Sequence, residues 1–182
     1  MPLAEYTHEH FQSLPTIDQA GAQYVSIGGP NLVHGLFRKF FIDHGMDSTF
    51  GLCLMHRHAD LEESEKLVHY HETASPWKDL TDLPIKPVMW SMSLDGSMRP
   101  SEFQYSSRAG DFLDEKKVTF MEEFSTLVKE NNMSLFGLVE YPGDDFETTC
   151  EITQGRTNIN LLHADVRSAL FHQAASLFSD FV

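Results

Sequence analysis

Four of the ten histidines of this chain stand in two closely spaced H-x-H triplets within residues 50–71. His56 and His58 follow a short apolar run, and His69 and His71 lie in a second strand-like run. Because side chains alternate between the two faces of a strand, each triplet presents both imidazoles to one side. Imidazole is a good ligand for Zn, Fe, Ni and Cu, so the pattern predicts a divalent transition-metal site. Such a metal could activate water or polarise a carbonyl of a small-molecule substrate.

The two runs, 50–55 and 67–73, are separated by a polar loop that is too short for a crossover helix. The sequence therefore predicts a β-hairpin and leaves its register open. If His56 lies opposite His69 or His71, all four imidazoles share one face, with opposed Cβ atoms about 4.5–5.5 Å apart. A carboxylate of the loop is expected to complete the site. The predicted metal ligands are His56, His58, Glu62, His69 and His71.

The string His56-x-His58-x-x-x-Glu62 resembles the first half of the cupin metal motif. In cupins the two histidines and the glutamate are metal ligands, and the resemblance implies the same roles here. The second half of the motif has no counterpart in this chain. The alternative is that the histidines are ordinary half-exposed strand residues that bind no metal.

A longer block, which runs from FGLCLMHRHADL at 50–61 through EKLV at 65–68 to SPW at 75–77, gives another resemblance. It is similar to a group of small uncharacterised fungal proteins with an HRH-x-DL…E-x-LV…PW pattern. The resemblance covers about thirty residues. It implies no function.

Arg57-His58-Ala59 also resembles the Arg-His dyad of the histidine phosphatase superfamily. That resemblance implies catalytic roles for His58, as the phosphorylated nucleophile, and for Arg57, as a phosphate-binding group. Arg108 and His163 would then be the second arginine and the second histidine. Guanidinium groups and an imidazole suit phosphoryl transfer without a metal. The remaining alternative is a non-catalytic domain that binds a ligand or a partner, so the sequence leaves open whether the chain is an enzyme.

Length and composition predict one domain over residues 1–182, in which residues 1–14 form a mobile start or a short helix. A hydrophobic content of 41% argues against disorder. The formal charge of −14 argues against partners such as nucleic acid or an anionic membrane. Two isolated cysteines, no signal-peptide pattern and no long apolar run predict a soluble cytoplasmic protein. A small-molecule ligand is expected, and a homo-oligomer stays open.

Periodic apolar residues predict the elements that position these side chains. Helices are expected at 15–27, 31–44 and 111–131, and after Asp165. Further strands are expected at 88–94, 102–106, 134–141, 146–153 and 158–163, with a proline-rich loop at 75–87. Consecutive strands with hairpin-length links predict an α+β fold, with a mainly antiparallel sheet of hairpins and three to four packed helices.

Overall fold

An eight-stranded sheet organises the protein, which a computed structural model describes over residues 3–71, 73–106, 113–140 and 149–162. The sheet order is β1-β6-β4-β5-β2-β3-β8-β7. The α+β prediction is confirmed. The strands are β1 Phe50–Leu54, β2 Lys66–Tyr70, β3 Thr73–Trp77, β4 Ile85–Met92, β5 Met98–Tyr105, β6 Phe136–Glu140, β7 Thr149–Gln154 and β8 Thr157–Leu162.

The predicted hairpin between the two histidine-bearing runs is wrong. β1 pairs with β6, with Phe50 opposite Glu140, and β6, β4 and β5 separate it from β2. β2 instead pairs antiparallel with β3 and parallel with β5. The sheet is therefore mostly antiparallel, as expected, but mixed. Directly after β1 the N–H of Met55 still donates to the carbonyl of Leu135, and Arg57 then forms a parallel bridge with Thr16 of the N-terminal segment.

The proline-rich loop expected at 75–87 begins instead with a strand. β3 extends to Trp77, with Pro76 opposite Leu67 of β2. Proline lacks an N–H, but β3 pairs with β8 only at Thr73 and Ala74, so Pro76 has a strand neighbour on one side alone within the described residues. β2 ends at Tyr70, and His71 takes a left-handed conformation with φ 52° in the turn.

The helices lie close to their predicted positions. They are α1 His8–Gln12, α2 Ile17–Ser26, α3 Gly29–Leu32, α4 Arg38–Asp43 and α5 Glu115–Glu130. A π-helical turn, Val33–Phe37, joins α3 to α4, so the helix expected at 31–44 forms with a widened middle. Reciprocal side-chain hydrogen bonds of Thr16 and Gln19 cap α2. The helix predicted after Asp165 lies outside the described residues.

Two apolar clusters occupy the two sides of the sheet. The larger one contains residues of α4 and α5, such as Phe41 and Phe124, packed against Phe50 and Trp90 of the sheet. The smaller one joins α1 to the segment after β1 and to the opposite strand faces. Its buried members are Phe11, Leu14, Met55, Leu61, Leu67 and Ala74.

The length and apolar character of the helices decide whether any of them could cross a membrane. Within the described part of the chain, none has both the length and the apolar character that crossing a bilayer requires.

Candidate metal centre

The segment after β1 is held by the N-terminal residues. The N–H of Arg57 donates to the carbonyl of Pro15 at 2.9 Å, and Thr16 and Arg57 form a parallel bridge. The guanidinium of Arg57 donates to the carbonyls of Gln12 and Leu14. This anchoring fixes the backbone between His56 and His58, so the two imidazoles emerge in a defined direction.

The third member of the site, Glu151, comes from β7 at the far end of the sheet. β7 and β8 form the predicted hairpin, with Glu151 opposite Asn160 and Thr153 opposite Asn158. Alternation along β7 puts Glu151 and Thr153 on the same face. The hairpin turn is pinned by Arg156, which pairs with the carboxylate of Glu65 and donates to the carbonyl of Asp60.

His56, His58 and Glu151 converge on one small volume. The Nε2 atom of His58 lies 3.4 Å from Oε2 of Glu151, and Nε2 of His56 lies 3.8 Å from the same oxygen. The two imidazole centroids are 4.5 Å apart. One ligand atom from each of the three residues lies within 4.8 Å of the others, a spacing that could hold a metal ion.

Hydrogen bonds at the Nδ1 atoms orient both imidazoles. Nδ1 of His56 donates to the carbonyl of Leu54 at 2.7 Å, and Nδ1 of His58 is hydrogen bonded to Oγ1 of Thr153 at 2.9 Å. This leaves the Nε2 atoms to face Glu151. Nε2 of His56 is buried and has no hydrogen-bond partner among the described residues. In metal-binding histidines, the ring nitrogen that does not bind the metal typically forms a hydrogen bond, as Nδ1 does in both residues here.

The burial of the three side chains differs. The side chains of His56 and His58 are 13% and 7% exposed, whereas that of Glu151 is 41% exposed. The centre therefore has a buried imidazole side and an open carboxylate side.

The charge of Glu151 dominates the electrostatics of the site. Burial opposes protonation of His58, but the hydrogen bond and charge of Glu151, with the charge of Glu102, outweigh it and raise the pKa of His58. In turn, the hydrogen bond from His58 lowers the pKa of Glu151 although burial opposes this, and a hydrogen bond from Asn158 adds to the effect. The carboxylate is thus held in its anionic form.

A second His-Glu pair lies on neighbouring strands. Nε2 of His69 is 2.5 Å from Oε2 of Glu102, and the two side chains are 20% and 6% exposed. Burial opposes protonation of His69, but the hydrogen bond and charge of Glu102 and the charge of Glu151 raise its pKa. His69 and Glu102 are therefore close enough to the three-residue group to act on it electrostatically.

The structure brings together some of the residues predicted as metal ligands and separates others. His56 and His58 lie in the group of three, while His69 pairs with Glu102 beside it. His71 is exposed in the turn after β2. Glu62 is exposed and accepts a hydrogen bond from Nζ of Lys78 at 2.5 Å.

Of the four residues of the phosphatase resemblance, the structure describes Arg57 and His58. Arg57 is engaged by backbone carbonyls and by Asp60, and His58 by Glu151 and Thr153. Arg108 and His163 lie outside the described residues. The roles inferred for them stay predictions.

Sequence reasoning missed Glu151 as a member of the site. The signal was weak: a carboxylate and a threonine two residues apart in a predicted strand, which the pleat places on one face. The sequence did not indicate that the two ends of the sheet meet, so nothing connected β7 with His56 and His58.

Comparison with known proteins gives no independent guide to the activity. Searches against protein-family models, curated proteins and solved structures found no significant match. The resemblance to a fungal group stays a prediction.

Proposed function

We propose that this chain binds one divalent transition-metal ion through His56, His58 and Glu151, and that it acts as a metal-dependent enzyme on a small molecule. The proposal keeps the two histidines predicted from the first H-x-H triplet. It takes the carboxylate from β7 rather than from the loop after β1.

The main support for the proposal is that, in the described part of the chain, the environment of Nε2 of His56 lacks a partner for this atom. This atom is buried and has no hydrogen-bond partner among the described residues, while Nδ1 already donates to a backbone carbonyl. A carbonyl oxygen can only accept, so Nε2 of the neutral imidazole bears the lone pair. A buried lone pair without a partner is unfavourable. A metal ion between Nε2 and Glu151 would satisfy it.

The donor set suits particular metals. Two imidazoles and one carboxylate with open positions form the protein ligand set of many catalytic zinc sites and of non-haem iron(II) oxygenases. The exposed side of Glu151 leaves room for a water or a substrate as a further ligand. A bound Zn²⁺ would lower the pKa of that water or polarise a substrate carbonyl.

The test is elemental analysis of the protein produced without a His-tag, after dialysis against metal-free buffer. We expect close to one Zn, Fe, Ni or Cu per chain. Substituting glutamine for each of His56, His58 and Glu151 in turn should reduce the metal content to background. His34→Gln is the matched control, because His34 is exposed on the π-helical turn and should leave the metal content unchanged.

The outcomes separate the alternatives. A wild-type protein without metal, even after incubation with Zn²⁺ or Fe²⁺, would favour a phosphohydrolase or a non-catalytic binding domain. A protein that binds metal equally well in the wild type and in the three ligand variants would place the ion elsewhere. Hydrolysis of an aryl phosphate by metal-free protein, lost in His58→Ala, would support the phosphohydrolase.

A further inference from the structure

A buried asparagine next to the candidate metal centre is only half satisfied. Asn158 of β8 is 1% exposed and lies opposite Thr153, the residue hydrogen bonded to His58. Its side chain shares the face of Thr153 and Glu151 and helps to lower the pKa of the Glu151 carboxylate. Its Oδ1 atom is buried and has no partner among the described residues.

Chemistry fixes which way this amide is oriented. An ionised carboxylate only accepts hydrogen bonds, so the group that faces Glu151 must be the Nδ2 amide of Asn158. Oδ1 is then the atom left over, and its unmade hydrogen bond costs free energy in a buried position. Two residues beside Glu151 thus each have one buried polar atom without a partner in the described structure: Nε2 of His56 and Oδ1 of Asn158.

The two requirements differ in kind. Nε2 of His56 needs an electron-pair acceptor, which a metal ion supplies, whereas Oδ1 of Asn158 needs a hydrogen-bond donor, which a metal ion cannot be. A metal that carries a ligand with an O–H or N–H group would satisfy both atoms. Anionic ligands without such a proton would leave Oδ1 unpaired and would also meet the negative charges of Glu151 and Glu102.

We propose that Asn158 is a specificity-determining residue that selects protic ligands at the open coordination position of the metal, namely molecules that bind through oxygen or nitrogen and donate an O–H or N–H to Oδ1. This inference rests on the proposed metal site. It names the substrate class as hydroxyl-, hydroxamate- or amine-bearing small molecules. A site built to pair a substrate donor rejects the analogue that lacks it, because the buried acceptor is then left without a partner.

The test compares two ligands that differ in one group, an N–H in the first and an N–CH3 in the second. Co²⁺-loaded protein is titrated with acetohydroxamate, which has an N–H, and with N-methylacetohydroxamate, which does not, and the visible absorption of Co²⁺ reports binding. We expect wild-type protein to bind acetohydroxamate about tenfold more tightly than its N-methyl analogue, after division by the same ratio for Co²⁺ in solution. Replacing Asn158 should reduce this preference to about one.

Two variants separate hydrogen bonding from steric effects. Asn158→Ala removes the acceptor and opens space for the methyl group, whereas Asn158→Leu removes the acceptor and keeps the space filled by a branched side chain. Loss of the preference in both supports the proposal; loss in the alanine variant alone is a steric effect and overturns it. Asn160→Ala is the matched control. Asn160 lies on the same strand as Asn158 and opposite Glu151, but it is only half-buried. The Asn160→Ala variant should prefer acetohydroxamate over its N-methyl analogue as strongly as the wild type does.

The remaining outcomes are also decisive. If Co²⁺ binds to His56, His58 and Glu151 and the wild type shows no preference, the inference about Asn158 is overturned and the metal site stands. Failure of Co²⁺ to bind the wild type overturns the proposed function itself, and the inference with it.

Discussion

At the scale of single residues, a proton on Nε2 of His58 would compete with the proposed metal ion for the same nitrogen. Nε2 of His58 faces Glu151, whose hydrogen bond and charge outweigh burial and raise the pKa of His58. A histidine with a raised pKa in the folded state stabilises the fold fully below its ordinary pKa. That contribution is lost as the pH rises through the raised value.

The first prediction follows for the metal-free protein. Glu151→Gln removes the charge and should lower the pKa of His58, which NMR titration of its imidazole ¹⁵N signals would measure. Because the wild type loses this contribution as the pH rises, the stability difference between wild type and variant should shrink from pH 5.5 to pH 8. Thr153→Val is the control, since it removes the contact at Nδ1 but keeps the carboxylate. An unchanged His58 pKa in Glu151→Gln would contradict the described contact.

The residue scale also shows how far sequence reasoning reaches. The H-x-H spacing placed His56 and His58 side by side, because two residues on extended backbone share a face whatever the fold around them. The carboxylate could not be assigned in this way. Glu62 has the spacing of a known motif, but it lies on the exposed side of its loop, with Lys78. Glu151 joins the histidines only through tertiary structure.

At the scale of elements, the pairing of β1 with β6 depends on a glycine. Gly137 is paired with Cys53, and a Cβ at this position would overlap Sδ of Met55 and the backbone carbonyl oxygen of Trp90. The carbonyl belongs to the adjacent strand and cannot move aside cheaply. Because Gly137 has no side chain, Met55 packs closely against it, and Met55 is the residue immediately before His56 in the sequence.

The second prediction is that Gly137→Ala destabilises the protein by about 3 kcal/mol, toward the upper end of the range for overpacking. Urea denaturation monitored by circular dichroism would measure it. Gly21→Ala is the matched control: Gly21 lies in the middle of α2 with open space around its Cα, and alanine there should stabilise by about 0.5–1 kcal/mol. Equal effects of the two substitutions would show that β6 does not approach β4 and Met55 this closely.

The β7–β8 hairpin is held against the chain by a buried carboxylate at its turn. Glu65 is 5% exposed and pairs with Arg156. The hydrogen bond from Arg156 lowers the pKa of Glu65 although burial opposes this. A carboxylate with a lowered pKa stabilises the folded state above its ordinary pKa, and this contribution is lost as the pH falls through the lowered value.

The third prediction concerns Arg156→Gln. It should lower the urea midpoint at pH 7, and this effect should diminish as the pH is lowered, because protonation of Glu65 removes the charge that Arg156 pairs with. It should also weaken metal binding about tenfold, since the hairpin that presents Glu151 is released. In the double variant with Glu65→Gln the midpoint should recover in part, because no unpaired charge stays buried. A variant with wild-type stability at pH 7 would contradict the pairing.

The elements themselves were predictable where the pattern is local. The stripe on α5 and the β7–β8 hairpin follow from periodicity and turn residues, and both lie within a few residues of the expected positions. The pairing of β1 with β6 joins segments more than eighty residues apart. Neither segment carries a signal for its partner, so the sequence favours the shorter connection from β1 to β2, and this prediction is wrong.

At the scale of the whole molecule, the candidate metal centre joins the two ends of the sheet. His56 and His58 directly follow β1, the first strand in the sheet order, and Glu151 lies on β7, the last. The link between His58 and Thr153 spans the same two ends. A metal ion there would act as a tie between the ends of a curled sheet, in addition to any catalytic role.

The fourth prediction is therefore that metal binding stabilises the whole fold. A ligand that binds only the folded state adds about 2.7 kcal/mol at a free concentration of a hundred times its Kd. Thermal unfolding should shift upward with added Zn²⁺ and return after treatment with a chelator, and His56→Gln should abolish the shift. Hydrogen exchange should also slow, most strongly in β7, β8 and the segment after β1, because the ion ties these elements together. A stabilisation with protection confined to other strands would mean that the ion binds away from the junction of the sheet ends.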